Sequence, residues 1–162
     1  MKNILNFKNM KKVVITLLLL VLPILSSCSS KRDLPTDKAL EDGSFFYRNT
    51  SLAFSVILPK EFENYHTQKT SGVNYIDVEF FVPTSDERFG TQVPGYAKPI
   101  VIRVFDEDEW ATINEASSIY KKLGEGNNKV YTILFWEKEP KDWQEVWHGE
   151  VEQAIIDNFE IE

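Results

Sequence analysis

Few side chains in this 162-residue chain could carry chemistry. It holds one cysteine, Cys28, and two histidines, His66 and His148. The histidines have no acidic ligand pattern around them, so the spacing of a zinc site is absent. His66 falls in a polar stretch and His148 on the polar face of a predicted helix, where both read as surface residues. Four acids run together at Asp106–Glu109. Such a run can hold a cation, yet no D-x-[DN]-x-[DN]-G loop surrounds it. Acids at the start of a helix also complement its dipole, and that reading fits the helix predicted to begin there. No G-x-S-x-G occurs, although a triad of residues remote in sequence stays open. No catalytic residue, metal ligand or cofactor motif is assigned.

The cysteine is the informative residue. Lys2, Lys8, Lys11 and Lys12 precede it, and the first acid is Asp33. Val13–Leu25 is uncharged, and the small residues Ser26 and Ser27 follow. A basic stretch, a short apolar run and small residues, in that order, make a secretory signal. As a helix this run would reach about 20 Å, short of the roughly 30 Å hydrocarbon core. Pro23 also disfavours a continuous helix. "LSSC", Leu25–Cys28, resembles the lipobox of bacterial lipoproteins. The resemblance covers residues 1–30 and implies a diacylglycerol thioether on Cys28, with cleavage between Ser27 and Cys28. An ordinary signal peptide with a chance cysteine is the alternative. An exported chain with one unpaired thiol is otherwise odd, because oxidising compartments favour paired cysteines. The expected partner is thus a membrane, reached through a lipid on Cys28 and not spanned. Ser29 after the cysteine, in place of Asp, resembles the outer-membrane sorting class where the host has such a membrane.

Charge narrows the partners further. The chain has 18 basic and 25 acidic residues, net −7. Four basic residues leave with the signal, so the remainder carries 14 against 25, or −11. Such a surface repels phosphate backbones, and nucleic acid is not expected as a partner. Residues 28–43 are polar without hydrophobic period and read as the lipidated N-terminus and a flexible tether. Residues 44–162 read as one domain, of ordinary size.

Positioning falls to strands. Phe45–Arg48 and the alternating Leu52–Leu58 read as two strands, "NYIDVEFFVP" as a third and Ile100–Phe105 as a fourth. Asp106–Gly124 reads as a helix, with a capping box at Asp106 and Glu109. Its apolar stripe is Trp110, Ile113, Ala116, Tyr120 and Leu123, with Gly124 as the C′ residue. "KVYTILFWEK" reads as a central strand. A last helix is predicted from near Pro140, burying Trp143, Val146, Trp147, Val151, Ala154 and Ile155, with Gly149 inside it. "NFEIE" can add a final strand. The class expected is α+β, a mainly antiparallel sheet with two helices packed on it. "LAFSVILP" and the Trp-rich helix running into "IIDNFEI" resemble the PsbP-like fold across Phe45–Ile161. That resemblance implies a small exported domain with binding or assembly roles and brings no catalytic motif.

Two features invite a contact site. Trp110, Trp136, Trp143 and Trp147 could stack on sugars, but they fall on predicted buried stripes and strands. Pro83–Pro99 joins two strands by a connection longer than most. Long loops carry binding surfaces, and Arg88, Phe89 and Tyr96 are the candidate contact residues there. The alternative is a structural loop whose aromatics cap the sheet. Together these readings point to a lipid-anchored envelope protein acting as a non-catalytic binding or assembly module, with an envelope protein as partner. An envelope hydrolase with a site built from remote residues is the alternative.

Overall fold

In the computed structural model, which describes residues 36–162, the chain is built on strands. In chain order these are β1 (Thr36–Ala39), β2 (Phe45–Asn49), β3 (Phe54–Leu58), β4 (His66–Ser71), β5 (Tyr75–Pro83), β6 (Tyr96–Asp106), β7 (Lys121–Gly126), β8 (Lys129–Phe135) and β9 (Phe159–Ile161). Two α-helices join them, α1 (Glu107–Trp110) and α2 (Gly149–Asp157). One sheet has the order β1-β2-β3-β9 and the other β4-β5-β6-β8-β7. Every pairing is antiparallel. The composition is α+β, dominated by sheet, and two sheets stand where one was expected.

The alternation along the strands puts one face of each sheet into a shared core. Phe54, Val56 and Leu58 of β3 pack with Val78, Phe80 and Val82 of β5, Ile100, Ile102 and Val104 of β6, and Tyr131 and Ile133 of β8. Trp143, Trp147, Val151 and Ile155 close the same core. Between β2 and β3, the Asn49 side chain accepts from the Leu52 N–H at 3.1 Å and caps a 3-10 turn. Ala53 then turns left-handed, at φ 52°.

Three polar segments form strands that periodicity did not mark. β1 occupies Thr36–Ala39, within the stretch read as tether, and pairs with Phe45–Arg48 of β2. β4 takes the polar residues from His66 and pairs with β5. β7 replaces the end of the predicted Asp106–Gly124 helix, of which only the single turn α1 and a 3-10 turn at Glu115–Ser117 are helical. The reason lies in the hairpin that follows. Asn127 and Asn128 both have positive φ, 56° and 59°, the backbone of a tight type I′ connection. It folds β7 back onto β8, and Gly124 becomes a strand residue instead of a helix cap. A Cβ on Gly124 or Gly126 would stand 2.9 or 3.2 Å from Ile161 of β9, so the two glycines admit that side chain.

The last helix is also shorter than predicted. His148 is extended, at φ −154° and ψ 172°, and α2 starts only at Gly149. Trp143 and Trp147 are buried through turns instead, and Val146 is exposed. The indole N–H of Trp143 donates to the Pro83 carbonyl at 3.0 Å, and that of Trp147 to Glu152 at 3.0 Å. Most buried indoles find such partners; the buried N–H of Trp136 is an exception.

Register sorts the loops onto two ends. At one end Thr36 pairs with Arg48, Lys69 donates to Ser51 at 3.2 Å, and Tyr131 donates to the Leu52 carbonyl at 2.9 Å. The hairpin tip Gly72–Asn74, the acids after β6 and the Asn127–Asn128 turn share this end. The Asp106 N–H donates to the Asn74 carbonyl, and the Glu107 N–H to that of Asn128. The opposite end holds the β5–β6 loop and the segment after β8, joined where Trp143 meets Pro83. Among the described residues, no helix is long and apolar enough to cross a membrane.

Candidate functional site

β5 is buried on both faces. Its inward residues fill the core, and its outward residues Asp77, Glu79 and Phe81 are buried as well. The register explains how. Asp77 stands opposite Arg103 and Glu79 opposite Val101 of β6. Arg103 donates to both oxygens of Asp77, at 2.6 and 2.7 Å. Its guanidinium lies 3.7 Å from the ring centre of Tyr75 and 4.6 Å from that of Tyr120. Burial opposes the Arg103 charge, but the Asp77 hydrogen bonds and charge outweigh it and raise its pKa. Burial pushes the Tyr120 phenol up, against the pull of Arg103. Trp110, Phe105 and Val130 form a small second cluster beside this clamp.

Further along the same face, Glu79 accepts from Lys98 at 2.5 Å and from Gln92 at 3.1 Å. The Lys98 ammonium lies 5.9 Å from the Phe81 ring centre. His66 stacks on Phe81 at 5.0 Å and meets the edge of Tyr96 at 4.5 Å. Burial lowers the pKa of His66. The outer face of the five-stranded sheet is therefore a stripe of rings and ion pairs. Each of its buried acids is held by a cation.

The β5–β6 connection borders this stripe. It is shorter than the sequence suggested, because β5 runs through Pro83 and β6 begins at Tyr96. Its ends close on each other, the Thr84 N–H donating to the Gly95 carbonyl at 2.9 Å, which makes it an Ω-loop. Asp142 staples it from the far side of the sequence, accepting from Thr84 Oγ1 at 2.7 Å, the Ser85 N–H at 2.8 Å and Ser85 Oγ at 3.1 Å. Burial works against the Asp142 charge, but those donors prevail and hold the carboxyl below its ordinary value. Asp86 accepts from Arg88 at 2.8 and 2.5 Å and from the Lys141 N–H at 3.2 Å. The Arg88 hydrogen bond comes first among the causes that hold Asp86 well below the usual carboxylate range.

The candidate contact residues thus separate. Arg88 is exposed, with its guanidinium 5.7 Å from the ring centre of the half-buried Phe89, and both belong to the loop. Tyr96 is a strand residue packed on His66. Cys28 lies outside the described residues. His148 precedes α2 and is exposed, so the two histidines do not share an element. The Asp106–Glu109 acids line a cleft of about 520 Å³ with Asn74 and Asn128. Asn74 donates to Glu109 at 2.8 Å, and Lys129 pairs with Asp106. Among the described residues, no three His, Cys, Asp or Glu side chains are arranged to hold a metal ion. Trp110, Trp143 and Trp147 are buried, as the stripe reading expected.

The ionic stripe is the feature that sequence reasoning missed. A signal existed: Tyr75, Asp77, Glu79 and Phe81 share one face of β5, and rings beside acids are unusual on a face meant for water. No family model matches the chain, and neither a curated protein nor a solved structure gives a significant match.

Proposed function

We propose that this chain is a lipid-anchored protein of the cell envelope whose folded part is a non-catalytic binding or assembly module. In this reading residues 1–27 are a cleaved signal, Cys28 carries the lipid, and an outer membrane is its address where the host has one. A PsbP-like kinship belongs to the same proposal; it rests on the hydrophobic spacing of "LAFSVILP" and of the Trp-rich segment running into "IIDNFEI", since three further strands change the element order that was expected. The observation that carries the module reading is the way the site's charges are spent. Asp77, Glu79, Asp86 and Asp142 are each tied by cations or hydrogen-bond donors. Catalytic acids and bases need pKa values near the working pH, whereas Asp86 and Asp142 are pushed away from it. What remains for a partner is shape, rings and the Ω-loop surface, where Arg88, paired with Asp86, is exposed beside the half-buried Phe89.

Two experiments test this. Cys28→Ser should abolish lipid attachment and leave unprocessed or soluble precursor; a variant that fractionates with membranes at wild-type mass refutes the anchor. A photo-crosslinking residue at Glu87 should trap a defined envelope protein in intact cells. Turnover of an envelope ester or glycan by the purified domain would replace the module reading with a hydrolase.

A further inference from the structure

The anchor and the fold together set which way the domain faces, an inference that rests on the lipidation of Cys28. Thr36, the first residue of β1, pairs with Arg48, so the chain enters the domain at the end that holds the Gly72–Asn74 hairpin tip. From Cys28 to Thr36 there are eight peptide steps, which span at most about 29 Å in any conformation. The Ω-loop stands at the opposite end. β5 joins the two ends, and nine residues of strand cover about 30 Å. A body tethered to a wall by one end is excluded from the half-space behind the wall, so its tethered end lies nearest on average.

We propose that the domain is displayed end-on, with the Gly72–Asn74 tip facing the headgroups of the anchoring bilayer and the Arg88–Phe89 loop turned away from it. Val73, at the centre of that tip, is 95% exposed. Asn74 of the tip shares a cleft with Asp106, Glu107, Asp108 and Glu109, charges that cannot enter hydrocarbon cheaply. The end therefore rides above the surface without entering the hydrocarbon. The partner of the Ω-loop is then a macromolecule beyond the anchoring leaflet, not a lipid within it.

The test uses the full lipidated protein, purified from membranes and placed in phosphatidylcholine vesicles that carry a headgroup energy-transfer acceptor. Cys28 is the only native cysteine, and the lipid caps it, so Val73→Cys and Glu87→Cys each take a single donor dye. Transfer from position 73 should exceed that from position 87 severalfold. Inserting ten Gly-Ser residues after Ser30 should reduce transfer from position 73. Equal transfer from both positions, stronger transfer from position 87, or indifference to the insertion overturns the orientation. Two dyes per chain with no flotation on vesicles overturns the anchor, and the orientation with it, and is recognisable as that separate failure.

Discussion

Replacing Arg103 with methionine removes the cation from a pair that the outer face has largely covered. The Asp77 and Arg103 side chains are 9% and 18% exposed. Breaking a buried pair by deleting one partner costs about 3–5 kcal/mol, because the other charge stays behind without compensation. The residual exposure of Arg103 argues for the low end. Loss of its contacts with Tyr75 and Tyr120 adds about 0.5–1 kcal/mol each, partly offset by the packing of the methionine. Arg103→Met should therefore destabilise by about 3–4 kcal/mol, a fall in Tm of about 12–16 °C for a domain of this size. Pairing it with Asp77→Leu removes the stranded charge, and the double variant should return to within about 1 kcal/mol of wild type. Urea unfolding followed by tryptophan fluorescence, on all four members of the cycle, measures this directly. A single-variant loss below about 1 kcal/mol, or costs that simply add in the double variant, would refute the reading of Asp77 and Arg103 as a buried pair whose charges compensate each other.

Three further outcomes are expected. Trp147→Ala should cost about 3–5 kcal/mol, since the indole is buried among Phe62, Phe135 and Trp136; a loss below about 1 kcal/mol by urea unfolding would make it a surface residue. Tyr65→Phe should stabilise by about 1 kcal/mol, because the buried Tyr65 hydroxyl makes no hydrogen bond of good geometry, although the Asp37 carboxyl is within its reach, and unsatisfied groups cost about 1–3 kcal/mol; a destabilised variant would show that the hydroxyl is bonded to Asp37. For His66 the folded pKa is depressed by burial from 6.5. The unfolded chain therefore takes up the proton first, so stability is full above 6.5 and falls as pH drops toward the folded value. His66→Gln should flatten that slope in a pH series of urea midpoints, and an unchanged slope would assign it to other groups.

The sequence by itself determined the central strands. β3, β5, β6 and β8 alternate because one face of each enters the core, and that period of two depends on no other part of the chain. It also determined the order of basic, apolar and small residues ahead of Cys28, which needs no fold to be read, and the presence of a long loop after β5, which the ladder shortens to residues 84–95. The tertiary structure decided the rest. β1, β4 and β7 lie at sheet edges and bury little, so their place comes from backbone hydrogen bonds offered by neighbouring strands, which leave no hydrophobic pattern. The spacing of Trp110, Ile113 and Tyr120 suits a helix, yet these side chains are laid irregularly over Phe105 and Val130, and periodicity cannot tell those arrangements apart. Tyr96 looked like a loop residue until the ladder with Pro83 claimed it. The ionic stripe needed register most of all. Whether Asp77 meets Arg103, or instead Ile102 or Val104, depends on a single-residue alignment of β5 against β6, and a slip of one would put the two side chains on opposite faces.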